Sequence, residues 1–495
     1  MSEKKPPDTN RRRQLFAFAW IAAIGATVFL SLDMQAVFTP PGMFLAKPYV
    51  QLGAGKDGEA TVSHDILFLV HAEKFLWEIE YKTAGKKTWT KVTDATKIII
   101  KNAQPEPITQ FKATLKELPA GKPFDYRVMR NGIEVFSATA KAQVRDNQPF
   151  KFVVVGDLGA GTSGQKRIAA LIGKEAPDMW VMPGDLAYNF GCLSDYFSRF
   201  FPVYNADETS ATVGAPIMRS TLCIPVIGNH DIAQTRELTP TDFNRFDDAL
   251  GYFLLWSSPL NGPLKQPTGA NFPSISGAEA RLAVFTQGAG KRYPQMANYS
   301  FDFGNTHWIV LDGNHYMNWA DPELRKWVAD DLAKAKNAKW KFATFHQPAF
   351  SMDMYHREEQ RMRLICEELD KGGVDIVFCG HAHNYQRTFP LHFTTKAAKI
   401  NRNGTVDGTL VLDKKYDNTA KTKPNGVIHI VTGAGGARLY SSTSNKEIEE
   451  MGDFLTKVHN DDHSYTVCKS DGGTLTVTQI TDQGKQIDKF VLKKD

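Results

Sequence analysis

Two histidines separated by one residue follow a short apolar run in the last third of the chain. They are His381 and His383, in the sequence Gly380-His-Ala-His, and residues 375–379 before them are predicted to form a β-strand. In a loop just after a strand, this spacing can direct both imidazoles into one cavity, where they could bind a metal ion. A solvated loop pair or a buried core histidine would give the same pattern, so the pair is informative only together with other residues.

Four other strand-like runs also end in polar residues of kinds that bind metals. They lie at 152–155, 179–182, 224–227 and 341–345. The candidate ligands that follow them are Asp157, Asp185, Tyr188, Asn229 and His346. Each of these residues alone could be ordinary turn or capping chemistry. Because ligands gather at the carboxyl ends of strands in α/β sheets, the ordered recurrence favours one shared site.

The seven candidate side chains form a donor set suited to two metal ions that share one carboxylate. Carboxylate and phenolate oxygens favour a hard ion such as Fe(III), whereas imidazole and amide oxygen suit Zn, Mn or Fe(II). Two ions about 4 Å apart can hold a phosphate group and generate a hydroxide nucleophile at accessible pH. The pattern therefore predicts hydrolysis of phosphate esters.

The ordered motifs resemble those of the purple acid phosphatases, within the calcineurin-like metallophosphoesterase superfamily. The motifs are GDxG at 156–159, GDxxY at 184–188, GNHD at 228–231, xxxH at 343–346 and GHxH at 380–383, with further matches at 299–305 and 432–436. The resemblance implies that Asp185 bridges both ions, that Asp157, Tyr188 and His383 hold Fe(III), and that Asn229, His346 and His381 hold a divalent ion (Fe, Zn or Mn).

The resemblance also implies two catalytic histidines that are not metal ligands. His230 follows the Asn229 position, and His356 lies ten residues after His346, so both are expected to contact the phosphate or protonate the leaving group. His356 could instead be an ordinary residue at the start of a helix. Two departures are Ala343, where the family usually has valine, and Gln386, where it often has glutamate.

The expected activity is hydrolysis of phosphate monoesters of small molecules. A phosphodiesterase or nucleotide hydrolase with the same dinuclear centre is the alternative, because the candidate ligands do not separate the two. The long segment 232–300 carries no recognisable motif and is expected to shape the substrate pocket. A surface-displayed binding protein that keeps the centre passively is disfavoured by the presence of both His230 and His356. Redox chemistry at an iron pair is at most secondary.

The chain divides into four parts by the texture of its sequence. Residues 1–33 form a basic N-terminus with a signal peptide or membrane anchor, 34–47 a linker, and 48–146 an all-β domain of the fibronectin or immunoglobulin type. Residues 147–495 form the α/β catalytic domain, a layered β-sandwich core flanked by helices. Asn131-Gly132 predicts a hairpin in the all-β part. Helices are predicted at 165–174, 322–335 and 357–371.

The net charge and the N-terminal segment indicate which partners and which location to expect. The net charge of +5 over 495 residues gives no case for nucleic-acid binding. The uncharged segment 15–32 follows three arginines, which predicts export, with the segment serving as a cleaved signal or, slightly favoured, as an uncleaved anchor. Export would permit disulfides, and Cys192 with Cys223 is the first pair to test.

Overall fold

The computed structural model describes residues 42–53, 61–72, 74–101, 107–146, 148–233, 239–263, 272–440 and 452–494. The predicted signal or anchor segment, 15–32, lies outside these ranges. Within them, no helix is both long and apolar enough to cross a membrane. The five cysteines all lie within the described ranges and are buried free thiols, so Cys192 and Cys223 are not joined.

The first part of the chain is all-β, as its alternating sequence predicts. Asn131 and Gly132 adopt φ values of 52° and 79° and join the last two of its strands in the predicted hairpin. The strands are β1 Ala46–Gln51, β2 Thr61–His71, β3 Trp77–Thr83, β4 Thr90–Lys91, β5 Thr96–Ile100, β6 Ile108–Pro119, β7 Pro123–Arg130 and β8 Ile133–Lys141.

The second part alternates strands with helices until it closes in an antiparallel hairpin. Its strands are β9 Phe150–Val154, β10 Met179–Met182, β11 Leu222–Pro225, β12 Thr241–Asp242, β13 Ile275–Ser276, β14 Tyr299–Phe303, β15 Thr306–Val310, β16 Trp340–Thr344, β17 Ile376–Cys379, β18 Tyr385–Thr388, β19 Leu391–Thr395, β20 Gly408–Leu412, β21 Ile428–Thr432, β22 Leu455–His459, β23 Ser464–Asp471, β24 Thr474–Thr481 and β25 Gln486–Lys493. The mixed α/β fold class is thus confirmed.

Two large sheets form the core of the molecule. One has ten strands in the order β25-β24-β23-β9-β10-β11-β1-β2-β6-β5, and the other has seven in the order β14-β15-β16-β17-β21-β18-β22. Aromatic rings from both sheets interlock between them: the Phe152 ring lies 5.2 Å from Trp308, 5.6 Å from Phe342 and 6.4 Å from Phe378. Such rings bury large apolar areas, which stabilises the face-to-face packing of the two sheets.

The first part of the chain contributes strands to the ten-stranded sheet. Strand β1 pairs with β11 in parallel, with Gln51 opposite Cys223, whereas β3, β4, β7 and β8 make a separate four-stranded sheet. The predicted boundary after residue 146 falls between β8 and β9. Because one sheet takes strands from both sides of it, a separate β-sandwich domain over residues 48–146 stays a prediction.

Helices cover the sheets, and the sequence periodicity predicts two of these helices, at 165–174 and 322–335. The helix predicted at 322–335 begins after Asp321, whose carboxylate accepts the Glu323 N–H at 2.8 Å, with Pro322 at the first helical position. The α-helices are α1 Ser163–Glu175, α2 Leu193–Asp195, α3 Phe201–Tyr204, α4 Gly251–Leu255, α5 Glu279–Ala289, α6 Arg292–Gln295, α7 Pro322–Lys334 and α8 Cys366–Lys371. A π-helical turn spans Tyr196–Phe200, and 3₁₀ turns span Ile217–Arg219, His230–Ile232 and Arg361–Ile365.

The helix predicted over 357–371 is confirmed only for its last part, α8 Cys366–Lys371. The chain turns at 354–358 and then forms the 3₁₀ turn Arg361–Ile365 before α8. A regular helix does not start earlier because the Gln360 N–H donates to the Gly404 carbonyl, outside the segment. The Glu359 side chain also turns inward to two histidines. Tertiary contacts therefore override the helical pattern here.

The described part of segment 232–300 is largely core rather than pocket wall. Tyr252 and Trp256 are buried, and the Tyr252 hydroxyl donates to the Pro225 carbonyl of β11 at 3.2 Å. Tyr49 of β1 donates its hydroxyl to the Leu255 carbonyl at 2.5 Å. The segment meets the loop that follows Tyr188 through the Phe246 ring, 4.5 Å from the Phe190 ring, and through the Gly251 N–H, which donates to the Gly191 carbonyl at 3.0 Å. The segment thus packs against the ten-stranded sheet at β1 and β11.

Candidate metal centre

The seven candidate ligands meet at one end of the molecule, at the carboxyl ends of five strands. Three of these strands, β9, β10 and β11, belong to the ten-stranded sheet, and two, β16 and β17, belong to the seven-stranded sheet. Six of the side chains are buried, and Asn229 is half-buried. The site is therefore shared between two sheets, whereas the sequence pattern by itself suggested neighbouring strand ends.

One group of donors surrounds the hydroxyl of Tyr188. This oxygen lies 3.1 Å from Asp157 Oδ1, 3.1 Å from Asp185 Oδ2 and 3.1 Å from His383 Nε2. A phenol carries one proton, so it can donate only one of these hydrogen bonds at a time. The remaining lone pairs then face each other in a buried space, which a cation would stabilise.

A second group of donors surrounds Nε2 of His346. This nitrogen lies 3.1 Å from Asn229 Oδ1, 3.1 Å from Asp185 Oδ2 and 3.2 Å from His381 Nδ1. The same oxygen of Asp185 thus faces both groups. This is the arrangement that a carboxylate bridging two ions requires.

The spacing of these donors fits metal coordination. Around an ion bound at about 2.1 Å, neighbouring ligand atoms in tetrahedral or octahedral geometry lie about 3.0–3.4 Å apart. The separations around Tyr188 and His346 fall in that range, and Asp185, His346 and His381 are close enough to hold one ion. Both groups therefore fit a metal by distance and by donor type.

Each candidate histidine has its second ring nitrogen fixed by an acceptor. His346 Nδ1 donates to the Pro183 carbonyl at 2.7 Å, and His383 Nδ1 donates to the Arg438 carbonyl at 2.7 Å. His381 uses the opposite nitrogen, because its Nε2 lies 3.0 Å from Glu359 Oε2. These partners assign the tautomers, so that each ring in its neutral form directs a lone pair inward, where it can bind a metal.

The charges of the centre are strongly coupled. Burial would lower the pKa of His346, but Asp185 and Asp157 outweigh it and raise that pKa to about 10. Burial would raise the pKa of Asp185, but His346 and His230 hold it well below its usual range. Burial lowers the pKa of His381 to about 4. A proton on His346 therefore competes with a metal, and metal binding must release it.

The two histidines predicted to be catalytic lie beside different candidate ligands, His230 beside Tyr188 and His356 beside His381. The His230 ring lies 4.4 Å from the Tyr188 ring, its backbone N–H donates to Asp185 Oδ1 at 2.8 Å, and its side chain is 35% exposed. The His356 ring lies 3.9 Å from the His381 ring. Both can reach a molecule bound at the centre, and neither belongs to the two donor groups.

Backbone conformation brings the ligand loops unusually close. Asp157, Asp185 and His381 have φ values of 59°, 53° and 71°, in the left-handed region that non-glycine residues rarely adopt. At Gly228, a Cβ atom would lie 2.2 Å from Asp185 Oδ1. Gly228 therefore has to lack a side chain for the next strand's carboxylate to fit beside it.

Three residues of the site had no role predicted from the sequence. Glu359 accepts hydrogen bonds from both His356, at 3.0 Å, and His381, at 3.0 Å. The Tyr440 ring stacks on His383 at 4.3 Å. Asp231 accepts the backbone N–H groups of Gly228 at 2.8 Å and Leu186 at 3.1 Å, and so ties two ligand loops together. The only local signals were the position of Asp231 in the GNHD motif and the i, i+3 spacing of His356 and Glu359.

Gln386, one of the two departures from the family pattern, has a structural role. Its amide donates to Ser351 Oγ and Asn384 Oδ1, both at 3.0 Å, and its carbonyl accepts the Met352 N–H at 3.0 Å. The neutral side chain is therefore satisfied where it is buried.

Comparisons with known proteins agree with this geometry. Residues 150–385 match the model of the calcineurin-like phosphoesterase family. Purple acid phosphatase 15 of Arabidopsis thaliana is 29% identical over 256 residues, covering 48% of this chain and 41% of that protein. Purple acid phosphatase 18 of the same plant is 25% identical over 326 residues, covering 65% and 56%. The chain thus spans about half the length of these relatives.

A solved structure shares the fold over most of the chain. It is a purple acid phosphatase from yellow lupin (Lupinus luteus) seeds, with a TM-score of 0.65 and 18% sequence identity, covering 90% of this chain and 74% of that one. At this identity the likeness concerns the fold alone.

Proposed function

We propose that this chain, a calcineurin-like phosphoesterase of the purple acid phosphatase type, hydrolyses phosphate monoesters of small molecules at a two-metal centre. The observation that carries the proposal is the pair of donor groups around Tyr188 and His346, which meet at one oxygen of Asp185. A purely structural role for so many buried ligand atoms is disfavoured, because several of them have no proton with which to form a hydrogen bond to their neighbours.

The residues divide into two sets in this proposal. The set that would hold Fe(III) is Asp157, Tyr188 and His383, the set that would hold divalent Fe, Zn or Mn is Asn229, His346 and His381, and Asp185 would bridge them. Bound ions would neutralise the phosphate oxygens and activate water for attack on phosphorus. The buried walls would keep these charges in a low-dielectric space, where they act strongly on a phosphate.

His230 and His356 would donate a proton to the leaving group. His230 Nδ1 lies 2.7 Å from the Asn189 carbonyl, which fixes the ring and leaves Nε2 directed toward the centre, 4.0 Å from Asp185 Oδ2. His356 Nδ1 is held by Glu359, and its Nε2 lies 3.4 Å from the Tyr440 hydroxyl. A positioned acid of this kind contributes about 10²–10⁴-fold to such a reaction.

The test is metal content, colour and turnover measured on the same preparation. We expect two metal ions per chain, release of phosphate from a simple aryl monoester at acidic to neutral pH, and a visible charge-transfer band that disappears in Tyr188→Phe. His392→Ala is the matched control, since His392 pairs with Asp370 in an exposed hairpin outside the site. Full loading with two metals and no phosphate release would refute the monoesterase.

The same preparation addresses the alternative substrate class. An aryl diester assayed beside the monoester separates the two activities, and a faster rate on the diester would replace the proposed monoesterase by a phosphodiesterase.

We further propose export of the protein, supported by the basic flank and the apolar segment 15–32. N-terminal sequencing of the mature protein tests this proposal. An intact N-terminus in the membrane fraction is expected for an anchor, and a mature start near Val37 would replace the anchor by a cleaved signal peptide.

A further inference from the structure

Two tyrosine rings extend from the candidate metal centre toward the surface, and we call them, together with Met354, which precedes Tyr355 in the chain, the aromatic wall. It consists of Tyr440, Tyr355 and Met354. The Tyr440 ring stacks on His383 with 4.3 Å between centroids and 17° between planes. The Tyr355 ring meets Tyr440 edge-on at 5.1 Å and 61°. Tyr355 is 57% exposed and Met354 is 47% exposed.

The exposure of the aromatic wall is not the usual scatter of surface apolar residues. Single exposed apolar side chains are common, but here two adjacent ones border the predicted catalytic His356. The Tyr355 backbone N–H donates to Asp353 Oδ1 at 2.9 Å, so its position is held. The Tyr440 hydroxyl lies 3.4 Å from His356 Nε2. The wall is thus built onto the side of the site where a leaving-group proton would be delivered.

We infer that the aromatic wall binds the leaving group of the substrate and selects phosphate esters of aromatic alcohols; this inference rests on the proposed function. With phosphate at the centre and the ester oxygen toward His356, the rest of the substrate extends across Tyr440 toward Tyr355. A planar ring there gains ring–ring contact, and Met354 adds a polarisable thioether. A glycerol or sugar chain has no planar aromatic face, so it gains no ring–ring contact there.

The inference predicts a binding preference that can be measured without turnover. Phenylphosphonate and methylphosphonate carry the same charged group and differ in the ring, and neither is hydrolysed at its carbon–phosphorus bond by this chemistry. Titration of the metal-loaded full chain is expected to show tighter binding of phenylphosphonate. In Tyr355→Ala this preference should fall about three- to ten-fold, while binding of inorganic phosphate stays unchanged.

Two further variants make the result specific. Tyr355→Phe keeps the ring and should keep the preference. Ile133→Ala removes an apolar side chain that is 69% exposed in the β7–β8 hairpin, and it should also leave the preference unchanged. Because Tyr355 is mostly exposed, we expect all variants to fold, and circular dichroism with metal content checks this.

The outcomes separate this inference from the proposed function. Equal binding of the two phosphonates by the wild type, or an undiminished preference in Tyr355→Ala, would overturn the inference and leave the phosphatase intact. Failure of the metal-loaded chain to bind any of the three anions would overturn both.

Discussion

Replacing Glu359 by alanine is expected to weaken binding of the divalent ion without removing any metal ligand. Glu359 Oε2 lies 3.0 Å from His381 Nε2, and Oε1 lies 3.0 Å from His356 Nδ1. Burial would raise the pKa of Glu359, but the two histidines outweigh it and hold that pKa well below its usual range. The carboxylate is therefore an anion that orients two neighbouring rings, that of the candidate ligand His381 and that of the predicted catalytic His356.

The size of the effect follows from the bond to His381. A hydrogen bond to a charged group contributes about 1.5–3 kcal/mol, and the 27% exposure of the Glu359 side chain favours the lower end. About 1.5 kcal/mol corresponds to roughly a tenfold loss of divalent-ion affinity, at the lower edge of the 10–100-fold range for residues that orient metal ligands. The Fe(III) set should be unaffected, because its donors do not touch Glu359.

Glu359→Gln separates orientation from charge. Its amide oxygen can still accept the His381 Nε2 proton, so we expect divalent-ion affinity near the wild-type value. Its NH₂ group then faces His356 Nδ1, which must become an acceptor and can no longer donate there. Turnover should therefore fall in Glu359→Gln even when the metal is retained.

The assay is metal retention against a series of chelator concentrations, with turnover measured at saturating metal. Glu367→Ala is the control, since Glu367 lies near the surface on α8 and pairs with Lys371. Wild-type metal retention in Glu359→Ala would refute the orienting role. Equal losses of divalent-ion affinity in Glu359→Ala and Glu359→Gln would refute the role given to the hydrogen bond between Glu359 and His381.

Two other predictions test the division of the centre and the pH range of the fold. Under the proposed division of ligands, His381→Ala should empty mainly the divalent site and keep any colour, whereas His383→Ala should disturb the proposed Fe(III) site and its colour. Metal analysis with visible spectra checks both variants, and identical spectra would contradict the division. His307 lies between Asp302 and Asp331 at 2.7 and 2.9 Å; burial opposes its protonation, but these carboxylates raise its pKa from 6.5 to about 9. Protonated His307 therefore stabilises the fold by at most about 3 kcal/mol, and this contribution is fully present below pH 6.5. It is lost as pH rises through 9. Urea unfolding should therefore show a lower free energy of unfolding for His307→Gln than for the wild type at neutral pH, and this difference should shrink at pH ~10. A difference that stays constant with pH would contradict the prediction.

The local parts of the site could be predicted, and the long-range parts could not. Asp157 and Asn229 each follow a buried strand within a few residues. Hydrophobic periodicity and the turn residues of the sequence therefore suffice to place them. The division of these strands between two sheets depends on pairing across hundreds of residues, which no local pattern contains. Glu359 lay in a helical pattern, and its inward turn depends on His356 and His381. Tyr440 likewise meets His383 only through the fold.

The strained backbone at the ligands gives the centre its geometry before any metal binds. Asp157 and His381 adopt left-handed conformations that cost about 1–2 kcal/mol each. In return the His381 N–H donates to Asp157 Oδ2 at 2.8 Å, which joins the loop after β17 to the loop after β9 in the other sheet. The other oxygen of Asp157 is then left facing Tyr188. Because opposing sheets set this oxygen, a change far from the centre that shifts one sheet should alter metal affinity as much as the loss of an orienting hydrogen bond.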